Sequence, residues 1–193
     1  MPFPLHEEVG TKAFSNADSG PYPRDRGCLK HRFPERKFGV LSGLLRYTLP
    51  MDPSLQDILD QVITSWETHG VACNPGVSDA NLLAFEQAMA FSCDPVFAAY
   101  LRRVNGFPDF DWDEAMFSFW STERIAQEAT DGHPAELLCF ADHCINLGSF
   151  GFRRQNDPKI YLHYQHQEGF EAVADSFHDF LEIYLLDPFA LLK

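Results

Sequence analysis

At Asn105-Gly106 the spacing of apolar residues along the chain changes. Upstream, Leu55, Ile58, Leu59, Val62, Ile63 and Trp66 recur at the three-four interval of an amphipathic helix. Asp52 and Pro53 open that helix and Gly70 stops it. A second helix starts at Ser78, with Val77 and Leu82 at staple positions and Phe85, Ala88 and Met89 continuing the stripe. A third is capped by Asp94, has Pro95 in its first turn, and buries Phe97, Tyr100, Leu101 and Val104. Asn105 and Gly106 both tolerate the left-handed backbone that closes a helix.

Downstream the pattern becomes short aromatic and β-branched runs between turn residues. Met116–Trp120, Leu137–Ala141, Ile145–Arg153 and Ile160–Tyr164 read as strands, with one short helix within 121–130. A last helix carries Phe177, Phe180, Leu181, Tyr184 and Leu185, is capped by Asp175 or Ser176, and stops before Pro188. Helices, then a strand meander, then a helix predict an α+β domain with an antiparallel sheet of about four to six strands over 51–193. With 18 Phe, 6 Tyr and 3 Trp the core needs neither disulfide nor metal to hold it.

Residues 1–50 follow a different rule. Six prolines and scattered charges interrupt any period, which predicts an irregular or disordered extension, and the abrupt start at Met51 suggests that residue as a natural beginning. Charge divides at the same place: 8 basic and 5 acidic residues precede position 51, and 7 basic and 23 acidic follow it. So anionic a body repels duplex nucleic acid, so none is expected as a partner. No apolar run approaches the roughly 18–20 residues of a membrane span, and no signal-peptide order precedes the body. The five cysteines are odd in number and lack metal-knuckle spacing, so reduced thiols and a cytoplasmic setting are expected.

Catalytic and metal chemistry finds few footholds. Asp109-Phe110-Asp111-Trp112-Asp113-Glu114 alternates carboxylates as a calcium loop begins, but Glu114 stands where that loop needs Gly and Trp120 where it needs Glu. Gly148-Ser149-Phe150-Gly151 lacks the first spacer of a nucleophile elbow. Cys139, His143 and Cys144, and separately His163 and His166, lie close in sequence without recognised ligand spacing, and core thiols and surface imidazoles account for them. His178 is expected on the wet face of the last helix. No cofactor and no metal are predicted, and no catalytic residue is assigned. The acidic turn, with Phe110 and Trp112 among its carboxylates, suits contact with a basic protein.

Four blocks, in order, resemble a known family. Val77–Glu86 is similar to a helix with an I-x-x-x-E type pattern, and Asp94–Gly106 to L-P-x-D-Y-x-x-F-L-x-x-x-N-G, although Cys93-Asp94-Pro95 lacks the usual Leu before Pro. Leu137–Asp142 resembles L-x-F-A-x-D, and Val173–Leu181 resembles V-A-x-S-F-x-E-F-L. These are blocks of the SUKH superfamily, in particular its Smi/Knr group, related to yeast cell-wall-assembly regulators. The resemblance implies a non-catalytic binding scaffold: bacterial members are often immunity proteins that neutralise toxins, many of them nucleases, and yeast members are signalling adaptors. It implies a protein partner, either a basic toxin domain or a signalling protein, and leaves oligomeric state open. Asp109, Phe110, Asp111, Trp112, Asp113 and Glu114 are the expected contact patch. Asn105, Gly106, Ser176 and Phe177 are expected to serve structure, the first pair turning the chain from helices to sheet and Phe177 anchoring the last helix. An enzyme using Cys139, His143 and Cys144 stands as a further alternative.

Overall fold

A computed structural model describes residues 53–130, 134–155 and 157–192, so the expectations for positions 1–50 and for Met51 lie outside the described residues. Three helices come first: α1 (Pro53–Thr68), α2 (Asp79–Met89) and α3 (Pro95–Arg103). Strand β1 (Phe117–Phe119), the short α4 (Thr122–Glu128), then β2 (Leu137–His143), β3 (Gly148–Arg153), β4 (Ile160–Tyr164) and β5 (Glu171–Ala174) follow. Helix α5 (Phe177–Leu186) and a 3-10 turn (Pro188–Leu191) end the domain. The five strands form one antiparallel sheet in the order β1-β2-β3-β4-β5, an α+β architecture as expected. Among the described residues no helix is long and apolar enough to cross a membrane.

Local chemistry explains where the helices begin. Ser78, Asp94, Ser121 and Ser176 each present a side-chain oxygen to backbone N–H groups of the following first turn, which otherwise lack partners. Of the two residues offered for α5, Ser176 is the cap, accepting from the Asp179 N–H at 3.1 Å. Phe177 follows it into full burial.

Two differences from the expected strands have clear causes. Cys144, Ile145 and Asn146 all have positive φ, at 51°, 55° and 63°, so the stretch expected to start β3 at Ile145 is instead a left-handed turn, and β3 begins at Gly148. Strand β5 has four residues, of which Val173 alone is buried, too short a pattern for alternation to announce.

Aromatic side chains fill the space between helices and sheet. Phe97 of α3 lies 5.0 Å, centroid to centroid, from both Phe152 of β3 and Phe177 of α5. Phe140 of β2 stands edge-on to Phe177 and Phe180 at 5.2 and 5.3 Å. Trp66 of α1 meets Phe107 and Phe119, each at 4.9 Å. Such edge-to-face pairs add to the area term that dominates the core. Strands β2 and β3 are buried along nearly their whole length, so both of their faces are covered.

Two polar joints set the positions of the loops. At the first, the Asn105 amide oxygen accepts from Thr122 N–H at 2.8 Å while its nitrogen donates to Glu123 at 3.0 Å, tying the end of α3 to the start of α4. Gly106 adopts φ +66° there, and a Cβ on it would lie 2.4 Å from the Trp120 carbonyl carbon. At the second joint, Asp142, 2% exposed, accepts from Trp120 Nε1 at 2.6 Å, from Arg124 Nη2 at 2.9 Å and from the Asn146 N–H at 3.2 Å. The Arg124 guanidinium also lies over the Trp120 ring at 4.5 Å. Asn105, Gly106, Ser176 and Phe177 are each hydrogen-bonded or packed within the domain.

Candidate protein-binding surface

Beyond the Gly106 corner the chain runs out from the core as the loop 108–116. Pro108 accepts from the Asp111 N–H at 3.0 Å, and Phe110 and Met116 take positive φ of 68° and 64°, so the loop doubles back tightly. Its base is closed by Asp113. The backbone N–H of Asp113 donates to Phe117 O at 2.9 Å, and Asp113 Oδ1 accepts from Phe117 N–H at 2.8 Å.

The other carboxylate oxygen of Asp113 reaches across the domain. Trp66 Nε1–H donates to Tyr184 Oη at 2.7 Å, and the Tyr184 hydroxyl in turn donates to Asp113 Oδ2. Burial, and then the Asp113 charge, push the Tyr184 phenol upward, which keeps it protonated and donating. This relay joins α1, α5 and the loop, and it fixes the loop against the body. Replacing Tyr184 by Phe leaves the Trp66 indole N–H and one Asp113 oxygen without their partner. A loss of about 1–3 kcal/mol in urea unfolding is expected, with faster amide exchange at Phe117. An unchanged midpoint together with unchanged exchange would contradict the relay.

Above that base the loop presents apolar rings among charges. Phe110 is 79% exposed and Trp112 43%, while Asp109, Asp111 and Glu114 are exposed beside them. Of the six residues expected as a contact patch, five therefore face solvent. Asp113 is half-buried with both oxygens engaged, and its part is to hold the loop.

The neighbouring elements extend the surface. Cys144 N–H donates to Met116 O at 3.0 Å, which places the left-handed β2–β3 turn beside the loop, and that turn exposes Ile145 and Leu147. Phe189, 59% exposed, stands edge-on to His143 at 6.4 Å. Burial holds His143 below its ordinary value, outweighing a backbone hydrogen bond at Ala115 and the charges of Asp113 and Asp142. The sequence placed Ile145 and Leu147 inside a strand and so missed their exposure; the partial signal was Asn146, a residue that accepts positive φ. The Tyr184–Asp113 contact spans 71 positions, and no local pattern announces it.

Cys139 and the neighbouring pair Cys144 and His143 lie in different environments. Cys139 is buried in β2, where burial and then the Glu128 charge push its thiol up to about 12. Cys144 Sγ lies 3.5 Å from His143 Nε2 at the turn. His163 is half-buried and its Nδ1 meets Gly169 O at 2.9 Å. Ser149, the serine of the Gly148–Gly151 motif, is 1% exposed within β3. Among the described residues, one imidazole nitrogen and two carboxylate oxygens come within 4.8 Å of one another at His178, Asp179 and Glu182 on α5.

A curated relative, the "Transcriptional regulator MraZ" of Mycolicibacterium vanbaalenii, is 28% identical over 116 residues, which is 59% of this chain and 74% of that protein. The family model described as "SMI1 / KNR4 family (SUKH-1)" matches residues 76–183, from the approach to α2 through most of α5 and including the whole 108–116 loop. With more than half its length so matched, the chain belongs to the SMI1/KNR4 (SUKH-1) family.

Proposed function

We propose that this chain is a protein-binding module of the immunity kind, which neutralises a basic toxin domain in the cytoplasm by covering its cationic face. The observation that carries the reading is the pinned loop on which Phe110 and Trp112 stand exposed among Asp109, Asp111 and Glu114. Rings of this kind anchor interfaces when held rigidly, because little side-chain freedom is lost on docking. The surrounding carboxylates, on a body with 23 acidic and 7 basic residues beyond position 50, speed encounter with a cationic partner and select against anionic ones. Family membership supports a protein partner and leaves its identity to experiment.

The test uses the basic protein recovered by affinity capture from the source organism. Phe110→Ala with Trp112→Ala is expected to weaken the complex at least about 30-fold, the effect of losing about 2 kcal/mol of anchor contact. Asp109→Asn, Asp111→Asn and Glu114→Gln together are expected to slow association and flatten its dependence on salt. Affinity and salt slope unmoved by both sets would remove the loop as the contact.

A regulatory adaptor is the second reading, supported by the name of the mycolicibacterial relative. The charge of the body opposes direct contact with a duplex, so such a role would run through another protein. An adaptor leaves its partner's activity intact in the complex, whereas an immunity protein abolishes it.

A further inference from the structure

We propose that the cleft between the end of α1, the 108–116 loop and the end of α5 is a receptor for one cationic side chain, arginine or lysine, of the protein partner. The inference rests on the protein-binding reading and adds to it a specificity element. The cleft holds about 180 Å³. That is smaller than the roughly 300–1,000 Å³ of pockets that enclose whole small molecules, and it is the scale of a single long side chain.

Its chemistry is amphipathic in the same sense as its proposed occupant. Trp66, Val71, Leu185 and Pro188 give apolar walls, while Asp113 and Glu114 stand at one side. A lysine or arginine buries its methylenes against apolar surface and keeps its charged head at carboxylates or water. An anionic or purely apolar side chain would leave those carboxylates either repelled or desolvated without compensation.

Among the described residues the cleft is lined by neither lysine nor arginine. Its histidine, His69, is exposed and has Nδ1 on Ser65 O at 2.7 Å. Asp113 accepts one hydrogen bond on each oxygen, from Phe117 N–H and the Tyr184 hydroxyl, so each oxygen keeps acceptor capacity. Glu114 is exposed at the rim and supplies the carboxylate best able to move onto the guanidinium or ammonium. Because Glu114 lies two residues from Trp112, their Cα atoms are at most about 7 Å apart. An aromatic-anchored segment therefore has its next basic residue within reach of the cleft.

The experiment titrates N-acetyl-arginine amide into the full 15N-labelled chain and follows the three tryptophan indole N–H signals, with the citrulline analogue as an uncharged control of similar shape. A saturable shift of the Trp66 signal in the millimolar range is expected, with no saturable shift from citrulline and with Glu114→Gln weakening the arginine response at least about fivefold. Absence of saturation, an equal response to citrulline, or indifference to Glu114→Gln overturns the cleft as a cation receptor. The measurement needs no protein partner, and the Phe110 and Trp112 variants leave the cleft walls in place. Failure of the cleft and failure of the binding loop are thus read separately.

Discussion

Asp142→Ala is expected to lower the unfolding free energy by about 3–5 kcal/mol, measured by urea denaturation. The carboxylate is buried and holds three donors at once: the Trp120 indole, the Arg124 guanidinium and the Asn146 backbone. Alanine takes the nearer of two carboxylates from Arg124, whose side chain is 14% exposed, leaving Glu128 at 3.8 Å, and removes the acceptor of the Trp120 indole N–H. Breaking one side of a buried ion pair costs more than the net value of the pair itself. Removing both partners, as Asp142→Leu with Arg124→Met, is therefore expected to recover a good part of the loss. A single-variant loss below about 1 kcal/mol, or no recovery in the double variant, would contradict this account of the joint.

Gly106→Ala is expected to cost about 3 kcal/mol or more, or to prevent folding. Two terms add. A residue with a Cβ at φ +66° pays about 1–2 kcal/mol for the left-handed backbone. The new carbon would also lie 2.4 Å from the Trp120 carbonyl carbon and 2.5 Å from its oxygen, and that backbone is held on both sides, by Phe140 O on the Trp120 N–H and by the Ser121 cap that follows. Gly70→Ala is the control: φ is +72° but nothing lies within 4 Å of the added carbon, so the backbone term alone, about 1–2 kcal/mol, is expected. Equal losses at the two sites, read as thermal shifts, would show that contact with Trp120 plays no part.

What the sequence disclosed and what it withheld divide by range. The stripe of α1, the caps at Asp94 and Ser176 and the Asn105-Gly106 corner are written within a few neighbouring residues, and each stands where expected. The turn at Cys144–Asn146 was hidden because its left-handed run contains no glycine, so aromatic and branched neighbours made it look extended. The loop 108–116 was visible as an acidic, aromatic run. Its division into an engaged Asp113 and freely displayed Phe110 and Trp112 depends on Tyr184, far along the chain, and neither periodicity nor spacing carries that information.

The sheet's strand order matches chain order, so every pairing from β1 to β5 closes between consecutive strands. Such pairings are entropically inexpensive and form early. The Trp66–Tyr184 bond bridges 118 positions and needs α5, which follows every strand. A growing polypeptide can therefore pair most of its meander before Tyr184 exists to hold the far oxygen of Asp113. That brace arrives only with the last helix, so a chain still emerging from the ribosome, or one cut short before residue 184, lacks the hydroxyl that holds Asp113 to the body.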